Sequence, residues 1–177
     1  GTISDLNTLY AAANSGNGVS GLGSEAVTVT DSSVSASDLN TLNTSTDYNI
    51  TVNATAISGS LSDVSTLYDN KAADSDADTD GFTGLGNEAI TLTDTGSIAA
   101  DTLLTVAQAN SSGTVDASNA GTITGTAEEI IDAYADSTIT EASDVALTVN
   151  TANSGTATLT QARSLDGLTT GVVTATI

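Results

Sequence analysis

The clearest pattern along the chain is an alternation of aliphatic and threonine residues in two short segments, AVTVTD and AITLTD. A period of two with β-branched residues is typical of a strand that buries one face. We therefore expect Val27 and Val29, and likewise Ile90 and Leu92, to point inward, with the threonines between them pointing outward. A further strand is predicted in NITVNA, with weaker counterparts in the later parts of the chain.

Short segments with helical spacing lie between the predicted strands. In GTAEEIIDAY, Thr126 is placed to cap a helix, Glu128 and Glu129 fall in its first turn, and Ile130 and Tyr134 share one face. In SASDLNTL, two leucines three residues apart follow two candidate capping serines. Helices of two to three turns do not persist alone in water, so packing must hold them.

These elements recur at an interval of roughly sixty residues, which is the sequence signature of a repeat architecture. SGLGSEAVTVTDS is echoed by TGLGNEAITLTDT, and ISDLNTLY returns as LSDVSTLY and, more weakly, as AEEIIDAY. A glycine opens each copy. The predicted copies are residues 1–58, 59–124 and 125–177, and joining Ile177 to a new Gly1 would continue the pattern.

Strand, helix, strand and helix within each copy indicate two coils per repeat. The sequence therefore predicts a repeat solenoid (a β/α solenoid), in which a parallel β-sheet lines one side, short helices lie on the other, and right-handed crossovers join them. Equivalent residues of the three copies would then stack in columns. Two such columns are Leu6, Val64 and Ile130, and Val29, Leu92 and Val149. The alternative is an all-β helix without helices.

Composition bears on the class of protein. The chain has 22 acidic residues against two basic ones, a formal net charge of −20, and no proline. High charge with few aromatic residues is typical of disorder, but the regular repeat and the lack of proline favour a folded chain. Without a basic patch to neutralise phosphates, nucleic acid is excluded as a partner. No apolar run reaches transmembrane length, so we expect no membrane insertion.

Candidates for catalysis are scarce in this composition. The chain has no histidine and no cysteine, which rules out Ser–His and Cys–His nucleophile systems. A pair of carboxylates could still hydrolyse a glycosidic bond, but no acidic residue stands in the aromatic surroundings expected of a sugar site. We therefore expect no enzymatic activity, no catalytic residue and no cofactor other than calcium.

The sharpest local feature is an acidic segment, DSDADTDG. Asp74, Asp76, Asp78 and Asp80 alternate with other residues before Gly81. Alternating carboxylates before a turn-making glycine suit the hard Ca²⁺ ion, and D-x-D-x-D-G opens an EF-hand-type loop. The pattern then departs from that loop, because the twelfth position is an asparagine and the glutamate follows one residue later. Two interpretations stay open, a weak calcium site and a solvated acidic loop.

The threonines of the predicted strands offer a second surface feature. If the copies stack, Thr28, Thr91 and Thr148 would form one column of a flat threonine face. Such a face could bind ice or pair with another molecule. The other interpretation is that threonine is simply a good, water-compatible strand residue.

The segments GLGNEAITLTDT, SASDLNTL and ITGTAEEIIDAY together resemble the tandem arrays of very large secreted or cell-surface proteins of bacteria, marine cyanobacteria in particular. The resemblance covers essentially the whole chain. It implies an extracellular role as a stalk or filament, and it brings no catalytic residue with it. The glycine-rich calcium motif GGxGxD of secreted toxins occurs nowhere in the chain.

Together these patterns predict a structural module, extracellular or on the cell surface, that forms a stalk, fibre or filament. It would do so by stacking head to tail, or laterally, on further copies of itself. The terminal copies should then expose apolar edges at Leu6, Leu9 and Val172. The alternatives are a calcium-dependent adhesin repeat and a module that binds ice or another surface.

Overall fold

The computed structural model describes residues 1–16, 19–72, 81–150 and 156–177. Within these ranges the chain forms six helices and twelve short strands. The helices are α1 (Ile3–Asn14), α2 (Ala36–Asn43), α3 (Leu61–Ala72), α4 (Ala100–Ala109), α5 (Ala127–Ala135) and α6 (Leu159–Asp166). The strands are β1 (Val27–Val29), β2 (Ser33–Ser35), β3 (Asn49–Val52), β4 (Ala56–Gly59), β5 (Gly81–Thr83), β6 (Ala89–Leu92), β7 (Ser97–Ala99), β8 (Thr114–Asp116), β9 (Thr122–Gly125), β10 (Ile139–Thr140), β11 (Ala146–Val149) and β12 (Val173–Thr174).

The strands form three parallel sheets. The first has the order β1-β3-β5, the second β10-β8-β6-β4-β2, and the third β12-β11-β9-β7. Neighbouring parallel strands cannot be joined by a tight hairpin, so the chain crosses over between them. Each crossover between paired strands contains a helix. Among the helices described here, none combines the length and the apolar character needed to cross a membrane.

The predicted solenoid, with one sheet along one side, is wrong. The chain is an α/β domain of the Rossmann-like type, built from parallel strands and helices, and its described residues form three sheets and six helices. The predicted all-β alternative is excluded by the same helices. The physical reason lies in the strand pairing: β1, β6 and β11 carry equivalent sequences, yet each belongs to a different sheet. The predicted column of Val29, Leu92 and Val149 therefore does not form.

The second predicted column fails because the helices pack in chain order. Helix α2 lies between α1 and α3, and α4 lies between α3 and α5. Leu39 of α2 and Leu103 of α4, both fully buried, therefore separate the residues that were expected to stack, Leu6, Val64 and Ile130.

The predicted faces of the strands are confirmed. Val27, Val29, Ile90 and Leu92 are buried, and the intervening threonines of β1 and β6 are exposed. The register then aligns apolar side chains from strand to strand. In the second sheet, an inward row runs through Val34, Ile57, Ile90, Val115 and Ile139.

Helix starts also follow the sequence signals. Thr126 caps α5, as predicted, and Ser35 caps α2. Glu129 completes a capping box with Thr126, which was not predicted. A further contact was not predicted. The Asp94 carboxylate accepts a hydrogen bond from the N–H of Leu61 at 2.7 Å, at the first residue of α3. A carboxylate there satisfies a free N–H and complements the helix dipole.

Candidate interaction surfaces

The first and last elements of the described chain lie at opposite ends of its layers. At one end, α1 packs against α2, and β1 pairs with β3 at the edge of the first sheet. We call this end the N face. At the other end, α6 packs against α5, and β12 is the edge strand of the third sheet. We call this end the C face.

The N face exposes a helix position that interior helices bury. Leu9 is the seventh residue of α1 and is 41% exposed. The seventh residues of α3 and α5 are Leu67 and Ala133, and both are 0% exposed. The difference arises because α3 and α5 each follow another helix in the layer, whereas α1 is the first helix of the described chain.

The strand edge of the N face is largely unpaired. The N–H of Thr30 donates to the carbonyl oxygen of Gly1 at 3.0 Å. The same kind of bond occurs twice more, at 2.9 Å each: the N–H of Thr93 donates to the carbonyl oxygen of Gly59, and the N–H of Asn150 to that of Gly125. Gly59 ends β4, which runs along β6, and Gly125 ends β9, which runs along β11. Beside β1 the corresponding contacts within the described part of the chain come from Gly1, whose amino group donates to the carbonyl oxygen of Thr28 at 2.8 Å.

The C face exposes Ile177, whose counterparts elsewhere in the chain are buried. The parallel bridge between Thr156 and Thr176 repeats the pairing of Ser33 with Ala56 and of Ser97 with Thr122. In each case the first residue of the pair lies two positions before the N-cap of a helix. These N-caps are Thr158, Ser35 and Ala99.

Ile177 follows Thr176 and therefore occupies the position that Ile57 and Ile123 have in the other two pairings. Those two are 1% and 0% exposed, whereas Ile177 is 73% exposed.

A groove next to this isoleucine combines apolar and charged side chains. It has a volume of about 300 Å³ and is lined by Ala162, Arg163, Asp166, Val173, Ala175 and Ile177. Leu159 and Val172 are also exposed large hydrophobic residues. The prediction of exposed apolar edges is thus confirmed at Leu9 and Val172, while Leu6 is partly buried against the core.

The predicted calcium ligands Asp74, Asp76, Asp78 and Asp80 lie outside the described residues. Within the described ranges, no group of three or more His, Cys, Asp or Glu side chains is arranged to hold a metal ion. Calcium binding therefore stays a prediction, and so does the absence of catalytic activity.

The predicted threonine column does not form. Thr28, Thr91 and Thr148 belong to three different sheets. The structure instead aligns Thr28, Thr51 and Thr83 across the first sheet. The hydroxyl of Thr83 donates to that of Thr51 at 3.2 Å. The repeat pattern hid this row, because β1, β3 and β5 have different sequences.

A buried polar cluster was also missed by the sequence analysis. The side chains of Glu88 and Asn110 are fully buried, and Tyr68 is nearly so. Desolvation, followed by the hydrogen bond to Glu88 and the charge of Glu88, raises the pKa of Tyr68 far above its usual range. The sequence carried no signal for this cluster, because the equivalent segment of the first copy has the same two glycines with positive φ, Gly21 and Gly23, and its Glu25 is exposed.

A second tyrosine–glutamate pair lacks such partners. The hydroxyl of Tyr134 and one carboxylate oxygen, Oε1, of Glu141 are buried without a hydrogen bond in the structure. Desolvation and then the charge of Glu141 raise the pKa of Tyr134 to about 12. Desolvation also raises the pKa of Glu141 to about 7; a backbone hydrogen bond opposes this shift and the charge of Asp136 adds to it.

The resemblance to tandem arrays of large bacterial surface proteins is carried by sequence patterns alone, and it stays a prediction. The same is true of the extracellular location that it implies. In comparisons with family models, with curated proteins and with solved structures, nothing matched this chain.

Proposed function

We propose that this protein is a structural module of an extracellular stalk, fibre or filament, and that it associates head to tail by placing its C face on the N face of a second copy. One observation carries the proposal. Positions that the interior elements bury, those of Leu67 and Ile57, are exposed at the two ends as Leu9 and Ile177. A second copy would bury both.

The helix layer supports this arrangement. Helix α3 packs on the preceding helix, α2, and α5 packs on the preceding helix, α4. Each odd-numbered helix after the first therefore packs on the even-numbered helix before it. In a head-to-tail pair, α1 of the second copy would follow α6 of the first in the same order. Leu9 would then be covered as Leu67 is. Burying a leucine side chain stabilises a contact by about 1.5–3 kcal/mol.

The strands support the same arrangement. Ile57 lies beside Ile90, and Ile123 lies beside Leu147. Val27 is the counterpart of Ile90 in the repeated segment AVTV/AITL. Ile177 of one copy is therefore expected to lie beside Val27 of the next, so that its strand pairs with the free edge of β1. An unpaired edge is a template for such pairing.

One contact between copies must differ from those inside the chain. A Cβ atom placed on Gly59 would lie 3.0 Å from the Cβ of Ala36, and one on Gly125 would lie 3.2 Å from the Cβ of Ala100. Leu159 replaces these alanines as the first residue of α6. Gly1 of a second copy would therefore meet a larger side chain, and the copies should sit farther apart at this point than neighbouring strands and helices do within one chain.

Net charge opposes the association at low ionic strength. Two chains of formal charge −20 repel one another over a distance that shrinks to about 8 Å in 0.15 M salt. Association should therefore strengthen as salt is added. This dependence fits an extracellular medium rich in ions.

Sedimentation velocity over a range of protein concentrations in roughly 0.15 M salt tests the proposal. The wild type should form elongated species larger than a monomer. Leu9→Asp and Ile177→Asp should each remain monomeric, because each places a charge in an apolar contact. Ala11→Asp, which adds the same charge to an exposed residue of α1, is the matched control and should still associate. A wild type that stays monomeric at about millimolar concentration, where weak contacts of this kind populate, would show that the proposal is wrong.

A further inference from the structure

In α1 and α2 the fifth residue of the helix contacts the helix that follows. In α1 this residue is Asn7, whose side-chain amide donates to the carbonyl oxygen of Asp38 in α2 at 3.1 Å. In α2 it is Asn40, which donates to the carbonyl oxygen of Asp63 in α3 at 2.9 Å. Both acceptors are the third residue of their helix. The same link therefore occurs twice in succession, from α1 to α2 and from α2 to α3.

The next three helices carry other residues at this position. Ser65 of α3 is short, and a cavity of about 360 Å³, lined by Ser65 and Thr102 among others, lies between α3 and α4. Leu104 of α4 and Ile131 of α5 are partly buried against the core. Among the described helices, the hydrogen-bonded link is therefore confined to the two that carry asparagine at this position.

In α6 the fifth residue is Arg163, which is exposed and lines the groove of the C face. No helix of the described chain follows α6. The third residue of α1, at the opposite end, is Asp5, which is also exposed. Its Oδ2 accepts a hydrogen bond from the Thr2 hydroxyl at 2.8 Å.

We propose that Arg163 of one copy binds Asp5 of the next, and that this contact fixes the direction and register of the assembly. The inference rests on the head-to-tail association proposed above. Arg163 would continue the link made by Asn7 and Asn40, from the fifth residue of one helix to the third residue of the next. A guanidinium has five N–H donors, so it can donate hydrogen bonds to the main-chain carbonyl oxygen and to the side-chain carboxylate of Asp5 at the same time.

The scarcity of positive charge makes this contact selective. The chain has only two basic residues. The charge of Lys71 already makes contacts inside the domain. Its Nζ donates to the carbonyl oxygen of Ala109 at 3.1 Å and lies 5.5 Å from the centre of the Tyr68 ring. With 22 acidic and two basic residues in the chain, carboxylates at most other contacts between two copies have no basic side chain to pair with. The contact of Arg163 with Asp5 favours the head-to-tail order over those alternatives.

Reciprocal charge reversal tests the pairing. Arg163→Glu and Asp5→Lys should each weaken self-association by at least about tenfold, because each places like charges opposite one another. An equal mixture of the two variants should recover the association of the wild type, since each interface between unlike copies again joins opposite charges. Sedimentation velocity measures all three samples, and circular dichroism verifies that both variants are folded. Thr160→Glu, an exposed residue of the same helix, is the control and should associate as the wild type does.

The outcomes separate this inference from the proposed function. If the wild type associates and Arg163→Glu associates equally well, the copies stack without this pair and the inference is wrong. The same follows if each variant fails alone and the mixture also fails. If the wild type does not associate at all, the head-to-tail proposal itself is wrong and the inference falls with it. Arg163→Gln, which removes the charge without reversing it, should give an intermediate loss.

Discussion

The hydroxyl of Tyr68 donates a hydrogen bond of 2.7 Å to Oε2 of Glu88, and both side chains are withdrawn from solvent. The same oxygen accepts the N–H groups of Gly86 at 2.8 Å and Asn87 at 3.1 Å. Asn110 closes the cluster, since its amide donates to the carbonyl oxygen of Glu88 at 2.9 Å. The cluster ties α3, the turn before β6 and the end of α4 together.

Tyr68→Phe should therefore destabilise the domain. The substitution removes a donor from a buried carboxylate and leaves part of its hydrogen-bonding capacity unmet, at a cost of about 1–3 kcal/mol. Urea denaturation measures the change in free energy of unfolding. Tyr134→Phe is the matched control, because the Tyr134 hydroxyl is buried without a hydrogen bond in the structure, and its removal should be neutral or stabilising. Equal losses in the two variants would contradict this account of the cluster.

A graded series of glycine substitutions separates backbone strain from steric overlap. Gly84 has a φ of +87°, and a Cβ there would overlap the carbonyl oxygen of Val52. Gly21 has a φ of +82°, with no atom within 4 Å of such a Cβ. Gly96→Ala meets neither obstacle and should be neutral or stabilising, by up to about 1 kcal/mol.

The expected order of destabilisation is Gly84→Ala, then Gly21→Ala, then Gly96→Ala. Strain alone costs about 1 kcal/mol, and overlap with main chain should add at least about as much again, because the neighbouring strand must move. Thermal unfolding of the three variants gives the order directly. A Gly21→Ala variant as unstable as Gly84→Ala would mean that the approach to β3 is unimportant.

Local structure could be predicted from this sequence because it depends on neighbours along the chain. The alternation around Val27 and Ile90 fixes which side of each strand is buried, and the residues around Thr126 fix where α5 begins. Both signals are complete within about six residues. The buried faces and the N-cap at Thr126 were therefore predicted correctly.

The partners of each strand could not be predicted because they depend on the number of strands between helices. Strands β5 and β10 have no counterpart in the first copy among the described residues. With these additional strands, equivalent strands of successive copies no longer belong to the same sheet. Strand β6 pairs with β4 in the second sheet, whereas its counterpart β1 is in the first. Sequence repeats record which segments are alike. They do not record which segments are adjacent, and the predicted columns failed for that reason.

The candidate surfaces could be predicted only in part. Exposed apolar ends followed from the lack of polar caps on a repeating chain, and Leu9 and Val172 confirm this expectation. The link made by Asn7 and Asn40 was missed, because an asparagine on a helix ordinarily indicates a solvated face. Counting from the helix start reveals it, since both are fifth residues.

Ile57 and Ile177 occupy equivalent positions and should respond differently to the same substitution. Ile57→Ala removes a buried side chain and should cost about 2–5 kcal/mol at any protein concentration. Ile177→Ala changes an exposed side chain and should cost less than about 0.5 kcal/mol in dilute solution.

Concentration separates the two roles. At concentrations where the wild type associates, Ile177→Ala should weaken association, and its stability should fall below that of the wild type because association stabilises the folded chain. Denaturation at two protein concentrations measures this. A loss at Ile177 that is the same at both concentrations would indicate that the residue only stabilises its own chain.

Glu141 should make the stability of the domain depend on pH near neutrality. Burial raises the pKa of its carboxyl from 4.5 to about 7, with a backbone hydrogen bond opposing the shift and the charge of Asp136 adding to it. The folded chain therefore holds this proton up to a higher pH than the unfolded chain. Unfolding releases the proton between these two values, so the contribution of Glu141 to stability falls as the pH rises through this window and stays low above it.

Glu141→Gln removes this dependence, because an amide does not titrate. A shift of this size corresponds to roughly 3 kcal/mol for a fully buried group, and partial exposure of Glu141 reduces it to about 1 kcal/mol. At pH 8 the variant should therefore be more stable than the wild type by about 1 kcal/mol, whereas at pH 4 the two should be nearly equal. Urea denaturation at both pH values measures the difference, and Glu128→Gln, which removes a carboxyl from an exposed position of α5, is the control. If Glu141→Gln and Glu128→Gln change stability alike at pH 8, the carboxyl of Glu141 is solvated in the folded chain and the pH dependence has another source.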